Sequence, residues 1–288
     1  MKPAPFAYVR AVSADDAVMV LAENEEARVL AGGQSLVPML GMRLLRPPLL
    51  VDVNDLGDEL GRIEIRGDEI HVGALARYSE VERSPLVAEH LPLLQRVVGH
   101  VGDRQVRNRG TVGGALAHAD PTGEVALAAL TLGARVHARS ARAERTIPVE
   151  EFFLGPYWTA LAPDELLTGA TFPLAPLRFR FVERGRRHND FAVLSVAAVG
   201  QPGPDGAWRG VRVGLGGLND TPVLARSAAA ALEGRRWEAA LIAEAAQLAL
   251  EAIDPSDDVR ASAQYRRHLA PIHVRRALTA LAEEAAGG

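Results

Sequence analysis

Two short stretches set paired glycines beside a hydroxyl side chain: Ala31-Gly32-Gly33-Gln34-Ser35-Leu36, and eighty residues on, Arg109-Gly110-Thr111-Val112-Gly113-Gly114. A glycine has no Cβ, so an anion can approach its backbone N–H closely, and a strand-to-helix turn points such groups outward. Ser35 and Thr111 each add a hydroxyl donor. Two such loops suit the two phosphates of a dinucleotide. A tight turn explains either pair alone, because glycine is the commonest turn residue. Spacing by itself leaves both readings open.

Other chemistry is easier to dismiss. The chain has no cysteine, so disulfides, zinc–thiolate sites, iron–sulfur ligation and thiol nucleophiles are excluded. The sole lysine is Lys2, so there is no Gly-Lys pair and no Walker loop. Residues 214–219, GLGGLN, miss the dinucleotide fingerprint by one glycine and run into DTPVLA, not a clear helix. The eight histidines, at 71, 90, 100, 118, 137, 188, 268 and 273, form neither an HExxH motif nor an i,i+4 pair. His118 and Asp120 offer two metal ligands with no third in view, as an ordinary loop does. No GxSxG elbow occurs. Three arginines in DRQVRNRG (103–110) read as a solvated loop face, or more sharply as a phosphate or partner contact.

The elements that must carry these residues follow from periodicity. Ser13 and Asp16 resemble a capping box ahead of an apolar helix reaching about Glu26. ARVLAGG is a short strand entering the first glycine turn, and LLVDVN (49–54) is another strand. RIEIRGDEIHVGALA alternates about Gly67-Asp68, a hairpin signal. Residues 79–101 are helical, with Pro85 and Pro92 breaking them into two pieces. After the second glycine pair, 123–134 reads as a buried helix closed by Gly133, and RVHARSARAERTIPV as a hairpin. FAVLSVAAVG and AWRGVRVGLGG are strands around a turn at 201–206, and 223–253 and 258–284 are Ala-rich helices. Two prolines without periodicity, in FPLAPL (172–177), place a domain boundary near 175.

Composition fits an ordinary globular core, with 48% hydrophobic and 24% charged residues. Lys+Arg 32 against Asp+Glu 36 gives a net charge of −4, which argues against a large nucleic-acid footprint. MKPAPFAYVR lacks the apolar run of a signal peptide, and no long unbroken apolar stretch occurs, so a cytoplasmic location is expected.

Four separated segments carry a more specific signal: AGGQSLVPMLGMRLLRPPLLVDVNDL, VRNRGTVGGALAHADPTGE, GRRHNDFAVLSVAA and YRRHLAPIHVRRAL. In this order they resemble the FAD-binding medium subunit of the molybdenum hydroxylases, the carbon monoxide dehydrogenase and xanthine dehydrogenase type. The likeness runs from about Phe6 to Leu281. It implies an α+β chain: residues 1–175 as a two-subdomain FAD-binding domain of the p-cresol methylhydroxylase/vanillyl-alcohol oxidase type, and 176–288 as a C-terminal domain of small antiparallel sheet and helical bundle. It also implies that Ala31, Gly32, Gly33, Gln34, Ser35 and Leu36, with Thr111, Val112, Gly113 and Gly114, hold the FAD pyrophosphate. Glu124 would stand near the adenosine or ribityl hydroxyls, and Asp190 and Phe191 near the isoalloxazine ring.

The resemblance further implies noncovalent FAD, no catalytic side chain and no metal on this chain. A large molybdenum-cofactor subunit and a small subunit with [2Fe-2S] clusters would be its partners, which suits a chain without cysteine. Glu124 is longer than the aspartate of some relatives, and Glu183 stands where many have lysine. A self-contained flavin oxidase and a scaffold that has lost flavin are the rival readings.

Overall fold

A computed structural model describes residues 2–175, 177–187 and 190–286; His188, Asn189 and Pro176 of the segments quoted above fall outside this range. Among the described residues three larger sheets follow one another along the chain, with a two-stranded ribbon of Phe153–Gly155 and Trp158–Thr159 beside them. The first is parallel, with Leu49–Asp52 between Ala7–Arg10 and Arg28–Leu30. The crossover is the helix Ala14–Glu23, whose Ser13 cap accepts the Asp16 N–H at 3.0 Å. Its buried face, Ala14, Ala17, Val18 and Leu21, packs on Val51 and Val53.

The second sheet has five antiparallel strands in the order Ile63–Arg66, Glu69–Gly73, Leu166–Pro173, Arg135–Arg139 and Glu144–Pro148. Both hairpins read from the sequence are present. The helical stretch after it divides into three helices instead of two, Tyr78–Arg83, Pro85–His90 and Pro92–Val98. Each proline opens a new helix at a position where its missing N–H costs nothing.

The third sheet is antiparallel: Arg178–Gly185, Ala192–Pro202, Trp208–Gly216 and Val223–Leu224. Strand Ala192–Pro202 explains its own unbroken apolar run, since both its faces are covered. Ala197 and Val199 join the core of the second sheet, while Leu194, Val196 and Ala198 join a core built with the C-terminal helices. Helix Glu124–Leu132 lies against the first of these faces. A Cβ at Gly214 would press on Thr131 and Leu127, and one at Gly216 on Ser195 and Leu127, so these two glycines of GLGGLN are bare because the chain packs closely there.

The C-terminal helices are shorter and later than their composition promised: Arg226–Leu232, Ala239–Leu248 and Ala263–Ala286. Gly234, at φ +69, lies between the first two. Among the described residues no helix is long and apolar enough to cross a membrane.

Candidate functional site

The first glycine loop leaves strand Arg28–Leu30 and enters the short helix Leu36–Gly41. Gly33 sits at φ +73, where a side chain would be strained. The backbone N–H groups of Gly32, Gly33, Gln34 and Ser35 have no acceptor among the described residues, and Ser35 makes no side-chain cap bond. Their carbonyls are partly occupied, Gly33 by Val37 N and Ser35 by Met39 N. This loop therefore offers a row of free donors.

The second loop is built the other way. Val112 N donates to Ala76 O at 3.0 Å, Gly113 N to Ala74 O at 2.9 Å and Gly114 N to the Thr111 hydroxyl at 3.1 Å. Its donors are consumed inside the chain, so the two loops are not equal nests. A Cβ at Gly113 would come within 2.5 Å of the Ala74 Cβ, and one at Gly110 within 2.5 Å of the Tyr78 ring. These glycines are bare so that the loop can seat on its neighbours. The Thr111 hydroxyl accepts from Gly114 and keeps its own proton to donate.

The loops touch each other. A Cβ at Gly32 would collide with the Arg109 carbonyl. Together they line a cleft of about 560 Å³, in the range of small-molecule sites. Ala31, Gly32, Gly33, Gln34, Ser35 and Leu36 line it from one side, and Thr111, Gly113 and Gly114 from the other. Val112 does not line it; its side chain is buried in the core.

The cleft also has a wall the sequence reading missed, His118, Tyr157 and Trp158. Tyr157 has φ 56 and donates its N–H to the Ala119 carbonyl at 3.0 Å, and its ring lies 5.0 Å from that of His118. The usable signal was GPYW (155–158), two large aromatics directly after a Gly-Pro turn.

Residues 4–175 match the family described as the FAD binding domain in molybdopterin dehydrogenase, and residues 179–281 match the CO dehydrogenase flavoprotein C-terminal domain. The chain belongs to this family of FAD-binding domains. It is 34% identical to the nicotine 6-hydroxylase medium subunit of Paenarthrobacter nicotinovorans, over 96% of this chain and 98% of that protein. It is 32% identical to the carbon monoxide dehydrogenase medium chain of Afipia carboxidovorans, over 96% of this chain and 97% of that one. Among solved structures, a carbon monoxide dehydrogenase from Hydrogenophaga pseudoflava superposes with a TM-score of 0.94, at 32% identity and 98% coverage of both chains.

FAD fits what these residues offer. A diphosphate needs donors at an approachable backbone, and the free N–H groups of 32–35 face no competing acceptor in this FAD-binding domain.

The remaining expected contacts lie outside the cleft lining. Glu124 opens helix Glu124–Leu132 half-buried, and burial, reinforced by Glu183 and Asp120, pushes its carboxyl up to about 8. Burial likewise lifts Glu183 to about 7, and its Oε2 has no hydrogen-bond partner among the described residues. Phe191 is not the core residue that the apolar strand after it invites one to expect. It is 54% exposed, with the Arg260 guanidinium 4.7 Å from its ring centroid. Asp190 accepts the Phe191 N–H at 2.9 Å.

One further expectation is corrected. DRQVRNRG is not a loop: Asp103 caps a helix Arg104–Arg109, accepting from Val106 N at 3.0 Å. Within it Arg107 pairs with Glu82 at 3.0 Å and donates to Gly102 O, which commits that guanidinium inside the chain. Asp120 is spent on a local turn, accepting from both the backbone and hydroxyl of Thr122.

Proposed function

We propose that this chain is the FAD-carrying medium subunit of a multi-subunit molybdenum hydroxylase, with residues 1–175 as a two-subdomain flavin domain of the p-cresol methylhydroxylase type and 176–288 as its C-terminal companion. Bound noncovalently, FAD supplies the redox chemistry, relaying electrons from [2Fe-2S] clusters on a small partner chain to an external acceptor. A large molybdenum-cofactor chain is the second partner.

The observation that carries the reading is the row of unoccupied N–H donors at Gly32–Ser35, facing Thr111 and Gly114 across one cleft. Relatives named as medium chains match almost end to end, which supports a subunit over a free-standing enzyme. Within the site, Ala31–Leu36 bind the pyrophosphate through the backbone, and Thr111, Gly113 and Gly114 shape the opposite wall, with Val112 buried behind them. Glu124 stands toward the ribityl or adenosine hydroxyls, and Asp190 and Phe191 toward the ring. The chain's own work is to bind, orient and electrostatically tune the flavin.

Acid precipitation of the purified protein releases one intact FAD per chain; FMN, or flavin left on the pellet, overturns the binding mode. In anaerobic stopped-flow, substrate bleaches the flavin band only when the molybdenum and iron–sulfur chains are co-expressed and co-purified. Bleaching by an organic substrate in this chain alone assigns a self-contained oxidase instead.

A further inference from the structure

Behind the two glycine loops, outside the cleft lining, four polar side chains form a continuous chain of hydrogen bonds. The Tyr8 hydroxyl donates to Asp52 Oδ2 at 2.5 Å, and Asp52 Oδ1 accepts from Asn54, both backbone N–H at 2.8 Å and Nδ2 at 2.6 Å. Asn54 Nδ2 also donates to the carbonyl of Ala31, in the first loop, at 2.8 Å. Its Oδ1 accepts from Arg77 Nη2 at 2.6 Å, and Arg77 Nη1 donates to the carbonyl of Arg109, at the entrance to the second loop.

The orientation of the Asn54 amide is decided by its partners. Arginine has only donors, and the Ala31 carbonyl and Asp52 carboxylate only acceptors, so Oδ1 must face Arg77 and Nδ2 the first loop. The Arg109 carbonyl is also the atom against which Gly32 rests without a Cβ. Arg77 thus holds one loop at the very point where the other touches it. Thr111 is tied to the same residue by a backbone bridge with Arg77.

We infer that Asn54 and Arg77 form a latch that fixes the spacing of the two glycine loops and so sets FAD affinity as positioning residues, touching no ligand themselves. This rests on the assignment of the cleft to FAD. A diphosphate held from both sides is sensitive to small errors in that spacing, whereas the separate folding of each loop is not.

The test uses the full-length apoprotein, with FAD dissociation constants from flavin fluorescence quenching and melting temperatures measured in parallel. Asn54→Ala and Arg77→Ala each weaken FAD by about tenfold or more, as loss of a charge-assisted bond does. The double variant is no weaker than the weaker single, because either cut opens the same latch. Arg77→Lys keeps the charge and the stem but cannot span both acceptors, so it stays weakened. It also carries the test if Arg77→Ala does not fold. Wild-type affinity in Arg77→Lys would reduce Arg77 to a distant charge and overturn the latch. So would additive losses in the double variant, or lowered melting temperatures with unchanged affinity. A wild-type protein that takes up no FAD would instead sink the flavin assignment itself.

Discussion

The loops 31–36 and 111–114 look alike in sequence and do opposite things in the structure. The first keeps its backbone donors free and uses glycine for a left-handed turn at Gly33. The second gives its donors to Ala74, Ala76 and Thr111, and uses glycine for contact so close that a methyl group would not fit. One loop leaves its donors free beside the cleft; the other is seated on its neighbours and keeps the proton of one hydroxyl unspent. A paired glycine is therefore ambiguous until its N–H groups have been followed to their acceptors.

That difference predicts two kinds of failure. Gly113→Val, the larger effect, drives a branched side chain into the Ala74 backbone and destabilises the whole chain by roughly 1–3 kcal/mol or more, the usual range for overpacking. Circular dichroism melts would show it directly, with flavin lost only as folding is lost. Gly33→Val, in contrast, strains one left-handed turn by about 1–3 kcal/mol and reshapes the free donors. The expected outcome is a folded protein, normal by circular dichroism, with flavin content near zero. Full flavin in folded Gly33→Val, or an unperturbed melt in Gly113→Val, would collapse the distinction between the loops.

Thr111→Val tests what the second loop contributes to the ligand. It removes the acceptor for Gly114 N, a loss of about 0.5–2 kcal/mol for a helix cap, together with the hydroxyl proton that the second loop keeps unspent. FAD should bind several-fold more weakly, and Thr111→Ser should restore both affinity and melting temperature. If Thr111→Val alters stability alone, the second loop serves the fold and nothing else.

Much of the frame was legible because it rests on local rules. The Gly67-Asp68 hairpin, the Ser13 cap and the Gly133 stop, at φ +70, each need only a few neighbouring residues. The even apolar run at 192–200 was read as a strand without any sign of which elements cover it, since burial on both faces is a property of two other parts of the chain. The same holds at the site. Ala31–Leu36 and Thr111–Gly114 stood out by composition, yet which loop keeps its donors depends on Ala74 and Ala76, distant in sequence from both. Asn54 and Arg77 carry no local signature, because their meaning lies in the two carbonyls they join. Phe191 precedes the apolar run AVLSVAAV, and nothing local tells that its ring stays 54% exposed beside Arg260.

The smallest expected effect concerns protons. The first loop, from Gly32 to Ser35, has no titrating group, so its donors act unchanged across the neutral range. Helix Glu124–Leu132 follows the second loop, and its Glu124 interacts with Glu183 of strand Arg178–Gly185; burial holds the two carboxyls at about 8 and about 7. In the unfolded chain both carboxyls ionise near 4.5, so between there and about pH 8 the folded protein holds protons that the unfolded one has released. Their stabilisation is complete below the unfolded value and is lost as pH rises through 7 and 8. His71 acts with the opposite sign: burial lowers it to about 4, so its contribution is present above 6.5 and is lost as pH falls. Above pH 6.5 the histidine term is flat and the carboxyls stand alone. The apoprotein should therefore melt a few degrees lower at pH 8.5 than at pH 6.5. Glu124→Gln and Glu183→Gln, which cannot ionise, should each flatten that slope. A slope that both variants leave intact would mean that the carboxyls beyond the second loop are solvated, and that the two regions differ in their hydrogen bonding alone.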